Sequence, residues 1–587
     1  MALFFENIKP FLEEFLAKFA ELIVELVVEL IVSILNLVAL IPQLEATGEL
    51  YTLIVRWVFP ILAITIFLRC ISPLRQNRRG DTVWGYLALA NGIRIPITSW
   101  ENLIGRGKYS DLVINIPFIS RSHAVLTRHN RTWSIADLGS KGGVEVNGSK
   151  IEKQETVNNG DTISLAGLEM VLISAEDEPF EQPPETAASN SSGGQGSSSS
   201  TLFLIILFQV LGAIQICFAQ EAALNSVVPV TFFLFILAEC LHYNLMQRLS
   251  RKSFALELLC YFLCGLNLLI VASADPGDLF KQLIAILIGL TAYTVIEVTI
   301  RNLGRAKKLK YLFMAGGLAL LVLNLAIGET HFGAKNWVNL GFITFQPMEF
   351  VKIAFVLAGT ATLDRLLTTR NMTAFIGFSG ACIITLVLIS DFGTALIFFG
   401  AFIVIAFMHS GDIRTLFLIT AAAAFGGLAA LSFRPYIAAR FATWGKAWQF
   451  ADSSGYQQTR TMIAAASGGL FGVGGGNGYL VDVAAADTDL VFGMLCEEWG
   501  LIVAFTAVLA LLFLAIRAVI LTKNCRSSFY AIAACGAAAI FLLQTALNVL
   551  GSVDLLPFTG VTIPFISNGG SSMIASWGLL ALIKSAE

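Results

Sequence analysis

Apolar and polar positions divide the chain into two kinds of segment. Runs of mostly apolar residues long enough to cross a bilayer, which takes about 20 residues, fall at 20–43 and 51–69. They resume near 201–219, 226–245, 255–273, 279–299, 310–327, 347–367, 373–389, 391–408, 413–432, 498–518, 529–549 and 564–584. Between the two groups, residues 76–175 change period: apolar runs shorten to strand length and are separated by turn pairs such as Asn91-Gly92 and Asn159-Gly160. That pattern predicts an all-β sandwich. Glu176 to Ser200 is acidic and Pro-containing, then rich in Ser and Gly, and reads as a flexible tether. The fold class expected is therefore a polytopic α-helical membrane protein with an inserted all-β sandwich. The first run carries Glu14, Glu21, Glu25 and Glu29 at helical spacing, so an interfacial helix rivals a span there.

Charge orients the segments. Basic clusters at Arg248–Lys252, Arg301–Lys310, Arg365–Arg370 and Arg517–Arg526 fall on one side of the membrane in this count, as do the arginines after the second run, Arg69, Arg75, Arg78 and Arg79. The positive-inside rule makes that side cytoplasmic and places the β domain there. Two long polar loops, 328–346 and 433–488, then lie outside, and loops of that length are usually functional.

Composition narrows the class further. Charged residues are 13% of the chain and hydrophobic ones 56%, whereas a soluble domain carries roughly 25% charged residues. A net charge of −3 argues against a nucleic-acid partner. The nine Cys include no CxxC pair, so neither a zinc site nor a disulfide framework is expected. The first apolar run is long and interrupted by Glu, unlike a cleavable signal.

Within the β segment, the motifs Gly105-Arg106, Ser120-Arg121-Ser122-His123-Ala124, Asp137-Leu138-Gly139-Ser140 and Val146-Asn147-Gly148 occur in order. The segment resembles the forkhead-associated (FHA) family, whose domains bind phosphothreonine peptides through loops at one end of the sandwich. The resemblance implies that Arg106, Ser120 and Arg121 contact the phosphate, a dianion suited to a guanidinium fork and hydroxyl donors, with His123 bracing the loop. Gly142-Gly143-Val144 stands where the family has Asn-Gly-Thr. A purely structural sandwich is the alternative.

Four stretches of the second half form another ordered set. They are Gly333-Ala334-Lys335-Asn336-Trp337 with Phe345-Gln346-Pro347-Met348-Glu349-Phe350-Val351-Lys352, then Ser390-Asp391-Phe392-Gly393-Thr394. Next comes Gly455-Tyr456-Gln457 through Ser467-Gly468-Gly469 and Gly476-Asn477-Gly478 to Thr488-Asp489-Leu490 and Glu497-Glu498-Trp499-Gly500. The last is Leu556-Pro557-Phe558-Thr559-Gly560 with Pro564-Phe565-Ile566-Ser567-Asn568-Gly569-Gly570-Ser571-Ser572. Over about 255–587 the chain resembles the SEDS family (shape, elongation, division and sporulation), which includes RodA, FtsW and SpoVE. Ten spans belong to that core and about four lie outside it.

The resemblance implies a peptidoglycan glycosyltransferase that polymerises lipid II at the outer face of the membrane. Such chemistry needs a base near the acceptor hydroxyl, cationic groups for the departing diphosphate and a groove for polyprenyl tails. Asp489 matches the family's essential Asp and is the candidate general base; Asp487 competes with it. Glu349 and Lys352, at i and i+3 just inside the bilayer, are costly there and so functional candidates, with a purely structural ion pair as rival. Asp391, Arg440 and Arg460 complete the expected diphosphate or substrate site, and Arg434 lies in the same loop. The Gly-rich stretch Gly468–Gly478 is read as backbone packing around a lipid substrate rather than a nucleotide loop. Ser571, Ser572, Ala575 and Ser576 are read as helix packing. Ser390, Met348 and Asn568 depart from the family's Pro, Ser and Tyr.

The domains expected are membrane helices at 1–75, a cytoplasmic FHA domain at 76–175, a linker at 176–200, an extra transmembrane pair at 201–250 and the SEDS core at 251–587. Implied partners are lipid II, a class B penicillin-binding protein acting as transpeptidase, and a phosphothreonine-containing protein. A divalent cation, Mg or Mn, is the cofactor the resemblance allows, with no resident metal site. The location implied is a bacterial cytoplasmic membrane, in elongation, division or sporulation. A lipid-linked precursor transporter and an FHA-based scaffold are the rival functions.

Overall fold

A computed structural model describes residues 44–76, 83–107, 110–129, 132–151, 154–174, 192–220, 227–249, 253–331, 334–339, 344–361, 369–410, 417, 420–421, 440–522, 525 and 527–587. The expected span at 20–43, nearly all of 413–432, the end of 347–367 and Arg434 lie outside the described residues.

The β segment is a sandwich of eleven strands. They are β1 (Gly85–Leu89), β2 (Arg94–Ile97), β3 (Glu101–Gly105), β4 (Leu112–Val113), β5 (Ala124–His129), β6 (Thr132–Asp137), β7 (Val144–Val146), β8 (Ser149–Lys150), β9 (Gln154–Val157), β10 (Thr162–Leu165) and β11 (Leu168–Ser174). One sheet runs β2-β1-β11-β10-β7-β8, the other β4-β3-β5-β6-β9. Alternation explains the layering: along β11, Met170, Leu172 and Ser174 are buried while Glu169 is exposed. Leu87 pairs with Leu172 in register, and both join a core with Ile104, Leu126, Ile135 and Ile163.

The helical part comprises α1 (Leu44–Gln76), α2 (Ser192–Ala219), α3 (Val227–Leu249), α4 (Ala255–Ala274), α5 (Leu279–Ile300) and α6 (Leu303–Ile327). It continues with α7 (Pro347–Gly359), α8 (Thr369–Leu388), α9 (Phe392–Ser410), α10 (Tyr456–Gly468), α11 (Ala486–Asp489) and α12 (Val491–Glu498). The last three are α13 (Leu501–Thr522), α14 (Ser528–Ser552) and α15 (Gly570–Ser585). Among the described residues nine helices are long and apolar enough to cross a membrane. α4 is apolar on nearly all sides, with Glu257 and Asn267 as its buried polar exceptions, and is buried along its length, the pattern of a helix at the centre of a bundle. Outside the core, α1 and α2 run side by side, joined by Tyr51 Oη to Leu211 O at 2.8 Å and by Thr52 to Gln215.

Three boundaries differ from the sequence expectation, each for a local reason. Ser192–Ser200, assigned to the tether, continues into α2, whose apolar run propagates the helix toward its N-terminus, where Arg69 donates to Ser200 Oγ. The expected 498–518 span is interrupted: Gly500 has φ +86°, and a Cβ there would meet Leu470 O at 2.4 Å, so α12 ends and α13 begins around it. The expected 564–584 span begins only at Gly570, because Phe565 has φ 63° and Pro564 lacks an N–H. The non-helical turns before α15 are held by Asn267, whose Nδ2 donates to Ile566 O and Ser567 O.

Hydrogen bonds tie Arg301 and Lys310 to neighbouring helix ends at one end of the bundle. Arg301 donates to Leu249 O, Tyr530 Oη to Ile300 O, and Lys310 Nζ to Thr360 O. The sandwich meets the same end, where Glu101 accepts from Ser527 and Ser528. At the opposite end the loop after α6 forms a small sheet of β12 (Glu329–His331), β13 (Ala334–Asn339) and β14 (Thr344–Phe345), tied down by Lys335 N to Ile389 O.

Candidate functional site

A cavity of about 980 Å³ opens at the end of the bundle away from the sandwich. That is at the upper end of the range for small-molecule sites. Its floor and walls come from the starts of α7 and α9, the segment 440–444, the tip of α11 and the loop 556–572.

Asp489 sits at the end of α11 with its carboxylate facing Gly560: a Cβ built on Gly560 would lie 3.0 Å from Asp489 Oδ2. The backbone around it is fixed, since Asp489 N donates to Ala485 O at 2.9 Å and Asp489 O accepts from Asn548 Nδ2 at 2.9 Å. Burial pushes the Asp489 carboxyl up to about 6; Thr488 and the Arg440 guanidinium pull it down, and Asp487 and Asp391 push it up. A carboxylate near that value is ionised at neutral pH and basic enough to take a proton in a transition state. Arg440 lines the same cavity, anchored by Nη1 donating to Phe558 O at 2.9 Å.

Asp391 caps α9, its Oδ1 accepting from Thr394 N at 3.1 Å and its Oδ2 from Asn336 Nδ2 at 3.3 Å. Ser390 before it has φ 63°, a conformation closed to the proline found there in the family. Glu349, in the first turn of α7, also lines the cavity and accepts from Lys352 Nζ at 2.7 Å. The pair is buried, Lys352 at 1% exposure, so either charge alone would be strongly disfavoured.

Four of the expected residues, Glu349, Asp391, Arg440 and Asp489, thus share one cavity. Lys352 is not among its lining residues and meets it through Glu349. Arg460 is placed elsewhere: it is exposed on α10, its guanidinium 5.0 Å from the centre of the Tyr456 ring. Asp487 is fastened away from the cavity, accepting from Asn568 Nδ2 at 2.7 Å.

Several lining residues escaped the sequence reading. Ser571 and Ser572, read as packing, line the cavity; Ser571 Oγ accepts from Gln346 N, and Ser572 pairs with Thr562 at 2.8 Å. Asn336 Oδ1 and Thr559 Oγ1 are buried, belong to lining residues and have no hydrogen-bond partner among the described residues. Buried polar atoms are rarely left so, which suits a wall completed by a polar ligand. The Gly-rich stretch behaves differently from expectation. It is not part of the cavity wall but packs on protein: a Cβ at Gly474 would lie 2.6 Å from Thr52 Cγ2, and one at Gly475 2.4 Å from the Trp499 ring. Small residues there let α1, α2 and Trp499 approach the loop.

Residues 274–587, more than half of the chain, match the cell cycle protein family of FtsW, RodA and SpoVE. The chain belongs to that family. Residues 102–166 match the FHA domain family. A probable peptidoglycan glycosyltransferase FtsW of Tolumonas auensis is 31% identical over 353 residues, covering 55% of this chain and 89% of the relative. A peptidoglycan glycosyltransferase RodA of Mycobacterium bovis is 30% identical over 324 residues, covering 52% of this chain and 69% of the relative. A chain from a peptidoglycan synthase complex has a TM-score of 0.48 at 25% identity, covering 56% of this chain and 96% of that one. Both resemblances drawn from the sequence motifs therefore hold, and the chain is a multi-pass membrane protein of the FtsW/RodA/SpoVE family carrying an FHA domain.

In the FHA domain the candidate phosphate residues lie together. Arg106 N donates to Ser120 O at 3.0 Å, and Gly107 N to Arg121 O at 2.9 Å, so the two loops run side by side. The Arg106 and Arg121 side chains are exposed. His123 is buried and braces the loop, with Nδ1 accepting from Ser120 N at 3.1 Å and Nε2 3.0 Å from Gly143 O. Gly142 has a steric reason: a Cβ there would come within 2.1 Å of Ala166 Cβ, so the asparagine of related domains has no room.

Proposed function

We propose that this chain is a peptidoglycan glycosyltransferase, the activity its curated relatives are named for, and that it joins lipid II units at the outer face of a bacterial cytoplasmic membrane. The observation that carries the reading is Asp489, Arg440, Asp391 and Glu349 in one cavity at the end of the bundle opposite the basic clusters. In the reaction, Asp489 takes the proton of the acceptor sugar hydroxyl as its oxygen bonds to the donor's anomeric carbon. The bond from that carbon to the donor phosphate breaks with inversion, and the electron pair leaves with undecaprenyl diphosphate. Arg440 offsets the charge that develops on the leaving diphosphate. The apolar remainder of the wall, including Trp337, Phe392 and Phe558, suits the lipid.

A divalent cation belongs to the proposal only as a companion of the diphosphate. Among the described residues no three His, Cys, Asp or Glu side chains come together as a cage.

Location follows from charge. The end holding Arg301, Lys310 and Ser527 would be cytoplasmic and carry the FHA domain, leaving Asp489 outside. The FHA domain would bind a phosphothreonine peptide through Arg106, Ser120 and Arg121 and place wall synthesis under a Ser/Thr kinase, in elongation, division or sporulation. A class B penicillin-binding protein, supplied as a separate chain, would crosslink the product.

Glycan-strand formation by the purified chain on lipid II in detergent tests the enzyme reading. Polymer from the unaltered protein and none from Asp489→Ala is expected. Lipid movement in liposomes without polymer would replace it with the transporter reading.

A further inference from the structure

Glu101, the first residue of β3, joins the sandwich to the helical core. Its carboxylate accepts from the Ser527 hydroxyl and from Ser528 N, the latter at 3.1 Å. Ser527 is the N-cap of α14, its own Oγ accepting from Phe529 N. Glu101 therefore extends that cap, adding a negative charge at the positive end of the helix dipole. The contact is buried, with Glu101 9% exposed and Ser527 3%.

The other end of α14 reaches the candidate active site. Asn548 Nδ2 donates to Asp489 O at 2.9 Å and to Val561 O at 2.6 Å, pinning the base-bearing turn to the loop that faces it. From Ser528 to Asn548 the helix rises about 30 Å at 1.5 Å per residue. Along that length it has no proline and packs on α7, α9, α13 and α15. A helix without proline, held in a close-packed core of low compressibility, passes strain along its length. On the sandwich side, Arg106 follows Gly105, the end of β3, which is roughly 13 Å along the strand from Glu101 at 3.3 Å per residue. The candidate phosphopeptide loops are thus at one end of the strand and the dock at the other.

We propose that α14 is the rod through which the FHA domain sets the position of Asp489, with Glu101 and Asn548 as its two positioning residues. Its consequence for rate rests on the glycosyltransferase reading; the mechanical link does not. A partner bound at Arg106 would act across the membrane by loading or unloading the Glu101 contact, so the sandwich is a built-in regulator rather than a passive appendage.

Hydrogen–deuterium exchange on the full chain in lipid nanodiscs tests the link without any activity. Glu101→Ala removes the contact from the sandwich side; Ser527→Ala removes its hydroxyl half together with the cap of α14 and leaves the Ser528 N bond. Each is expected to raise exchange about three- to tenfold at 528–532 and also at 486–491 and 545–552, as a lost cap loosens the helix it held. A rise confined to 528–532 overturns the rod. Exchange across β5 and β6 reports whether the sandwich stays folded in Glu101→Ala; if it does not, Glu101→Gln, which removes the charge and keeps the packing, decides instead.

Polymerisation of lipid II supplies a second arm. Glu101→Ala should slow it about three- to tenfold and shift the midpoint of its pH profile downward, as Asp489 loosens toward water. The same substitution should cost much less in an Asn548→Ala background, since both act through one helix. Additive losses with an unmoved pH midpoint would overturn the coupling. An unaltered chain that makes no polymer would sink the enzyme reading alone, leaving the exchange result to judge the rod.

Discussion

Asn568 holds Asp487 by a 2.7 Å hydrogen bond from Nδ2 to Oδ2, and a second bond at 2.9 Å joins their backbones. Two carboxylates two residues apart are thereby given different work. Asp487 ties α11 to the loop before α15, while Asp489 faces the cavity.

The first prediction separates them. Asp489→Asn should lower polymerisation about 10²- to 10⁴-fold, the span typical of a lost general base. Asp487→Asn should keep most activity, because an amide can still accept from Asn568. Initial rates on lipid II check both. Equal losses would return Asp487 to contention.

The pH dependence follows from the same site. With its value pushed up to about 6, Asp489 is protonated and inactive as a base below that pH and ionised above it. The rate should rise through pH 6 and level off above about 7. Arg440→Gln removes a cation that pulls the value down, so it should move the midpoint upward. A flat profile between pH 5 and 8 would contradict the assignment.

Glu349 and Lys352 should fail one at a time. Lys352→Ala leaves a buried carboxylate without its partner, expected to cost about 3–5 kcal/mol. Replacing both, as Glu349→Gln with Lys352→Met, should recover much of that stability. Thermal unfolding in detergent measures each variant. If the double replacement recovers activity too, the pair serves packing alone.

The FHA domain makes a prediction about size. Gly142→Asn, a return to the pattern of related domains, should destabilise the sandwich by about 1–3 kcal/mol, since its Cβ would overlap Ala166. Pairing it with Ala166→Gly should relieve the overlap. Arg106→Ala should leave stability unchanged and weaken binding of phosphothreonine peptides at least tenfold by calorimetry. Binding that Arg106→Ala does not alter would leave the sandwich structural.

Where the sequence spoke clearly, one dominant physical term was at work. Apolar runs of bilayer length announce helices, and short alternating runs between Asn-Gly turns announce strands. Exceptions fall where tertiary contacts override the period. Gly500 breaks a continuous apolar run because another backbone passes too close for a Cβ, and Phe565 delays α15 by adopting φ 63°. Ser571 and Ser572 look like packing residues in a small-residue run, yet they line the cavity, because the distant Gln346 N–H and the Thr562 hydroxyl give them polar partners there.

By itself, then, the sequence determined the two architectures, the family and most of the polar residues at the candidate site. Those follow from periodicity and from motifs local in the chain. Tertiary structure decided that Asp489 rather than Asp487 meets the cavity and that Arg460 stands apart from it. It also showed that Gly142 is small to admit Ala166, and that Glu101 and Asn548 grip the two ends of α14. Each depends on which distant segments come within hydrogen-bond or van der Waals reach, and spacing along the chain does not encode that distance.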